Sequence, residues 1–210
     1  MIAGPTPRVA ALVLAAGRPT RMGPHNKLLA EVGSTPMVRR VVLMALSSRA
    51  EPVIVVTGYQ HARIEAALAD LGLAFVDNPD FAAGLSTSLR RGVAALPADV
   101  DGVLVCLGDM PRVTSATLDR LIAAFDPVAG RAICVPCRNG KRGNPVLFAR
   151  RFFAEMQAVS GDSGARALLG AHPAAAHEVA TADDGILLDI DDPQALAEAE
   201  RRTAPASAER

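Results

Sequence analysis

The chain lacks net charge: Lys plus Arg and Asp plus Glu number 22 each. No overall field therefore exists to hold nucleic acid or an acidic membrane surface, and any anion must be bound locally. Long apolar runs are missing as well, and no stretch approaches the roughly 18 uninterrupted apolar residues of a membrane span. The opening MIAGPTP has neither a basic start followed by an apolar run nor a small-residue cleavage site. The expectation is a soluble, cytoplasmic protein with no nucleic-acid or membrane partner. Cysteine is scarce: Cys106, Cys134 and Cys137 are too few for a disulfide framework. Cys106 sits inside an apolar run, and Cys134-Val135-Pro136-Cys137 reads as a strand end rather than the helix N-terminus a redox pair needs. No second ligand pair stands nearby to make a zinc site.

What is present is a chain of 210 residues, long enough for one domain with a sizeable core. We expect that domain over residues 8–202, with flexible termini at 1–7 and 203–210. Short apolar runs alternate with helical patterns, which is how βα units are written. Val9–Ala15, Val53–Thr57, Ala74–Asp77, Gly102–Leu107 and Arg131–Pro136 read as strands. Their unbroken hydrophobicity suits a mostly parallel sheet covered on both faces, a three-layer α/β/α arrangement. Met37–Ser48, His61–Asp70, Ser86–Leu96 and Ser115–Phe125 read as helices, with Ser86 and Thr114 as N-caps. Further on, Asn144–Ala149, Ala176–Ala180 and Ile186–Ile190 read as strands. Arg150–Val159, Asp162–Gly170 and Pro193 to about Arg202 read as helices.

The segment after the first strand is the most informative. Leu14-Ala15-Ala16-Gly17 leads through Arg21 and Gly23 to Lys27. In an open parallel sheet ligands bind beyond the carboxyl ends of strands, and this loop leaves the first of them. Gly17 and Gly23 let backbone N–H groups approach an anion, while Arg21 offers a planar fork and Lys27 a point charge. The spacing fits neither a Walker A loop nor a GxGxxG fingerprint. Taken alone, the segment reads either as a phosphate cradle or as a basic surface turn using glycine for positive φ. Leu107-Gly108-Asp109-Met110-Pro111 follows another strand, bringing Asp109 to the same sheet edge as a first oxygen ligand for Mg²⁺. Gly84-Leu85-Ser86-Thr87-Ser88 reads as a glycine turn into a hydroxyl-rich helix start. None of the four histidines shows ligand spacing.

LAAGRPTRMGPHNKLL resembles the signature loop of the MobA-like NTP-transferase family, in particular its MocA-type molybdenum cofactor cytidylyltransferases. The resemblance continues in order through Asn78-Pro79, the Gly84–Leu89 block, Leu107–Pro111, Gly143-Asn144-Pro145, Gly161–Arg166 and Asp189–Pro193. It implies a Rossmann-like nucleotidyltransferase fold. It also implies a Mg²⁺-dependent transfer of CMP from CTP to molybdenum-bearing molybdopterin, releasing pyrophosphate, with a molybdenum hydroxylase as a recipient partner. Arg21, Lys27 and Asp109 then carry catalysis. Leu14, Ala15, Ala16, Gly17, Gly23, Lys27, Gly84, Ser86 and Ser88 hold the nucleotide, and Asn144 and Asp162 face the acceptor. Asp109, Asp191 and Asp189 are the metal carboxylates, although Asp189, Asp191 and Asp192 also suit capping of the helix at Pro193. Arg166 reads equally as an acceptor contact or a surface charge. One departure is Pro19, which removes a backbone N–H where the family usually has a small polar residue. Two alternatives stay open: a transferase for sugar phosphates or other metabolites on the same scaffold, and a non-catalytic carrier of the cofactor.

Overall fold

The computed structural model describes residues 6–18, 26–161 and 164–203. In chain order its elements are β1 (Val9–Ala15), the small hairpin β2 (Glu31–Val32) and β3 (Thr35–Pro36), α1 (Met37–Leu46), β4 (Val53–Thr57), α2 (His61–Ala66), β5 (Ala74–Asp77), α3 (Leu85–Ala94) and β6 (Gly102–Leu107). The second half adds α4 (Ser115–Ala124), β7 (Ile133–Arg138), β8 (Lys141–Arg142), β9 (Val146–Ala149), α5 (Phe153–Ala158), α6 (Arg166–Ala171), β10 (Ala176–Ala180) and α7 (Pro193–Thr203).

The main sheet runs β10-β7-β9-β6-β1-β4-β5, with β8 on β7. β1 pairs in parallel with both β4 and β6, β4 with β5, and β10 with β7. β9 lies antiparallel between β6 and β7. All seven residues of β1 and all five of β4 are buried. Because successive strand side chains point to opposite faces, such burial requires cover on both sides. Helix α3 packs on β1, β4 and β5 and against α5, while α1 packs on β1 and β4 and against α4. This is a mostly parallel, Rossmann-like α/β fold. The chain leaves β1 toward β4 on one side and returns to place β6 on the other. That reversal opens a crevice at the carboxyl ends of β1 and β6.

Several local expectations are corrected. Ile186–Ile190 is not a strand. Asp184–Leu187 forms a 3₁₀ turn in which Asp183 Oδ1 accepts from the Gly185 N–H, and the Ile190 N–H donates to the Asp109 carbonyl instead of to a ladder. Ser86 is not an N-cap, since α3 starts one residue earlier and its cap position is Gly84 at φ 105°. Thr114 is a cap, its side chain accepting from the Thr117 N–H. β7 begins two residues later than expected because Arg131 closes a local two-way backbone pair with Asp126. The β2–β3 hairpin was not anticipated. Its turn places Gly33 and Ser34 both at positive φ, 58° and 62°, the conformation that two-residue hairpin loops favour. Among the described residues no helix is long and apolar enough to cross a membrane.

The three thiols are free. Burial pushes Cys106 up to about 12 and Cys134 up to about 11, and raises Cys137 with help from hydrogen bonding to Glu178. All three are poor thiolates, which fits a structural role better than redox or metal chemistry.

Candidate active site

The loops after β1 and β6 leave the sheet side by side, with Leu14 in register with Leu107. Their approach needs Gly108. Its N–H donates to the Leu14 carbonyl at 3.0 Å, and a Cβ there would stand 2.9 Å from that same oxygen. The next residue, Asp109, is thereby delivered beside the chain returning from the first loop. There Asn26 is buried and fixes a 3₁₀ turn at Lys27–Leu29. Its Oδ1 accepts from the Leu28 N–H at 3.1 Å and its Nδ2 donates to the Tyr59 carbonyl at 3.3 Å.

Lys27 consequently points at two carboxylates. Its Nζ donates to Asp109 Oδ2 at 2.8 Å and to Asp191 Oδ1 at 2.5 Å. Burial alone would lower the Lys27 pKa. The charges of Asp109 and Asp191, with both hydrogen bonds, outweigh that burial and hold it above the ordinary lysine value. Asp109 Oδ1 is buried and has no hydrogen-bond partner among the described residues, a costly state for a carboxylate oxygen unless a ligand completes it. Desolvation, and then the charges of Asp191 and Asp109, raise the neighbouring Asp189 carboxyl. Asp192 is the residue that caps α7, accepting from the Ala195 N–H at 2.8 Å. The capping reading therefore belongs to Asp192, and Asp191 turns to Lys27.

A cavity of about 470 Å³ opens beside Lys27 and Asp109. Leu14, Ala16, Gly17, Gly84 and Ser88 line it, joined by Arg18, Phe81, Ala82 and Leu85. Arg18 lies over the Tyr59 ring at 6.0 Å, and Tyr59 meets Phe81 edge-on at 6.1 Å. Ala15 is buried at the end of β1 and lies outside the cavity lining. Ser86 is also buried, its backbone N–H donating to the Gly161 carbonyl, and it lines neither cavity described here. Asn78 organises the helix start from below, donating to Thr87 Oγ1 and Ser88 Oγ at 2.9 Å each.

A second cavity of about 700 Å³ shares Leu14, Leu85 and Leu107 with the first. Its walls include Val105, Val146 and Leu169, with Arg142, Asn144 and Arg166 as the polar groups. The Asn144 N–H donates to the Ile186 carbonyl at 2.9 Å, which ties this loop to the segment carrying Asp189 and Asp191. Arg142, which sequence reasoning did not select, also donates to Glu178 at 2.8 Å. Arg21, Gly23 and Asp162 lie outside the described residues. Among the described residues no three His, Cys, Asp or Glu side chains form a ready-made metal cage. Mg²⁺ does not require one, since one or two carboxylates with water and phosphate suffice.

A doubly wound sheet carries a lysine–carboxylate cluster and two adjoining cavities at its carboxyl edge, and its fold is that of a solved nucleotidyl transferase that superposes with a TM-score of 0.81 at 25% identity. Residues 11–178 match the MobA-like NTP transferase domain, and the chain belongs to that family. It is 30% identical over 202 residues to the purine catabolism protein PucB of Bacillus subtilis, covering 90% of this chain and 94% of PucB. It is 37% identical over 138 residues to the bifunctional protein GlmU of Kineococcus radiotolerans. That match covers 64% of this chain and only 28% of GlmU. Among solved structures, Rv0371c from Mycobacterium tuberculosis superposes with a TM-score of 0.81 at 27% identity, covering 93% of this chain and 99% of that one. Rv0371c has also been solved in complex with manganese.

Proposed function

We propose that this transferase moves CMP from CTP to molybdenum-bearing molybdopterin, yielding the cytosine dinucleotide and pyrophosphate. The observation that carries the reading is the Lys27–Asp109–Asp191 cluster beside a cavity that shares a wall with a second one. The smaller cavity, with Gly17, Gly84 and Ser88, suits a nucleotide. The larger, with apolar walls and the guanidinium groups of Arg142 and Arg166, suits a flat acceptor carrying a phosphate. An acceptor phosphate oxygen attacks the α-phosphorus, forming one P–O bond as the bond to the bridging α–β oxygen breaks and pyrophosphate leaves. No general base is needed, because a phosphate nucleophile is already ionised near neutral pH. The protein's task is alignment and charge neutralisation. Lys27 meets the α-phosphate and incoming phosphate, and Arg21 the β- and γ-phosphates. The unpartnered Asp109 Oδ1 and the convergence of Asp109 and Asp191 suit a divalent cation, with Asp189 nearby but not completing a three-carboxylate set among the described residues. Bound Mg²⁺ would neutralise the triphosphate and polarise it.

Support for the cytidylyl reading comes from the motif series, which runs in order from Leu14 to Pro193. Ala16, at the cavity wall, stands where related guanylyltransferases usually have glycine and favours a pyrimidine over a purine. The GlmU match favours a second reading, a sugar phosphate as acceptor on the same scaffold. The deciding experiment is pyrophosphate release from each of the four NTPs with molybdenum-loaded molybdopterin, with a sugar 1-phosphate, and with neither. We expect CTP plus molybdopterin to dominate. Equal or greater turnover with GTP would reject the cytidylyl assignment, and turnover with the sugar phosphate alone would reject the acceptor.

A further inference from the structure

Lys27 and a divalent cation have the same two carboxylates to share. The ammonium lies 2.8 Å from Asp109 Oδ2 and 2.5 Å from Asp191 Oδ1, and its side chain is only 16% exposed. On the far side of the same carboxylate, Asp109 Oδ1 is buried without a partner among the described residues. The acid is thus half used by an internal cation. A metal taking oxygens from both carboxylates meets Nζ on the way, and two like charges at such separations repel. The backbone that carries Lys27 is fixed by Asn26, but a lysine stem is flexible enough to move its charge without moving the turn.

Building on the nucleotidyltransferase reading above, we propose that the Lys27 ammonium holds the divalent-cation position between Asp109 and Asp191 in the empty protein. It is handed to the triphosphate when nucleotide and metal enter together. A triphosphate supplies both things the exchange needs, anionic oxygens for the displaced ammonium and extra oxygen ligands for the metal. Metal alone supplies neither. Metal binding is therefore conditional on nucleotide, and without nucleotide the carboxylates are guarded against free cations. Both carboxylates close on the one ammonium.

The chain makes the exchange directly visible, because Lys141 is its only other lysine. Protein grown with [¹³C]lysine gives two Cε signals in NMR, and Lys141→Arg assigns them. The Lys27 signal should stay in place with Mg²⁺ alone and move when Mg²⁺ and CTP are added together at the same metal concentration. In parallel, Mn²⁺ binding without nucleotide is read by electron paramagnetic resonance. Lys27→Met should bind Mn²⁺ about tenfold or more tightly than wild type, a coupling of ordinary size between two competing ligands. Lys141→Met, with the same charge change, should match wild type. An unchanged isotherm in Lys27→Met, or a Lys27 signal unmoved in the Mg²⁺–CTP complex, overturns the exchange. Should Lys27→Met fail to fold by circular dichroism, the wild-type spectra decide alone. If CTP does not bind in a calorimeter while the nucleotide-free isotherms behave as expected, the cytidylyl reading fails and the exchange stands.

Discussion

Asp109 carries its two oxygens in unlike surroundings, one on an ammonium and one buried without a partner among the described residues. Asp109→Asn keeps the size and removes the charge. Steady-state pyrophosphate release should fall by roughly a hundredfold or more, the scale of losing a strong electrostatic contact. Raising Mg²⁺ should restore only part of it, and near-normal turnover with unchanged Mg²⁺ dependence would remove Asp109 from the metal site. Lys27→Ala should lower turnover on a similar scale. The two ion pairs of Lys27 mean that its loss should also lower the melting temperature. Its pKa is raised on folding, so its stabilisation is complete below the ordinary lysine value and is lost as pH rises through the higher one. Melting curves of wild type and Lys27→Ala should therefore differ near neutrality and converge at strongly alkaline pH. The sequence exposed Lys27 and Asp109 because a lysine closing a glycine-bearing loop and an aspartate just past a buried strand are chemically explicit. Phe81, Arg18 and Arg142 stayed hidden because an aromatic in a short turn and arginines among many look like packing and surface. The hydroxyl run at 86–88 looked uniform, yet helical rotation sends Ser88 to the cavity and buries Ser86 away from it.

The segment between β10 and α7 shows what an element without regular structure can hold in place. Asp183 accepts from the Thr114 N–H and Oγ1 at 2.9 and 2.8 Å, from Thr117 Oγ1 at 2.7 Å and from the Gly185 N–H through its other oxygen at 2.9 Å. Arg112 pairs with Asp184 close by. Together they clamp the start of α4 to the stretch leading to Asp189 and Asp191. Partial burial would raise the Asp183 carboxyl, but these hydrogen bonds prevail and hold it below its usual value. Its contribution is thus present above the ordinary aspartate pKa, roughly 3.9, and is lost as pH falls through the lowered value. Asp183→Ala should cost about 1–3 kcal/mol at pH 7 in a denaturant titration, the size of stranding several donors, with the deficit shrinking at strongly acidic pH. A deficit independent of pH would assign the loss to packing. This clamp explains why Ile186–Ile190 reads wrongly as a strand: its apolar run is real, but its backbone groups answer Asp109 and Asn144. β1, β4 and β6 were legible to the residue because continuous apolar side chains decide their burial locally, and the half-exposed β5 and β10 were legible from short segments rich in β-formers or bounded by turns. β2 and β8, at two residues each, are too short to carry a period.

At the scale of the whole molecule, sequence foretold the mostly parallel sheet but not the strand order. That β9 runs antiparallel between β6 and β7 is a tertiary choice no local pattern encodes. The buried thiols of β6 and β7 turn this sheet into its own reporter. With Cys106 and Cys134 displaced to about 12 and 11, thiol reagent at mildly alkaline pH should label Cys137 slowly and the other two only after global opening. Mass spectrometry of pulse-labelled protein across a denaturant series checks this; rapid native labelling of Cys106 would mean that the central strands open separately. A last consequence follows from the wall of Leu14, Leu85 and Leu107 common to both cavities. On the function proposed above, the two substrates arrive as separate molecules, each held by one compartment, and the dinucleotide they become is a single tethered ligand. Once one half is seated, the other is held at high effective concentration. Such a product leaves slowly, so departure rather than bond-making should set the steady rate. Rapid mixing should show a burst of pyrophosphate approaching one equivalent per site before the slower linear phase.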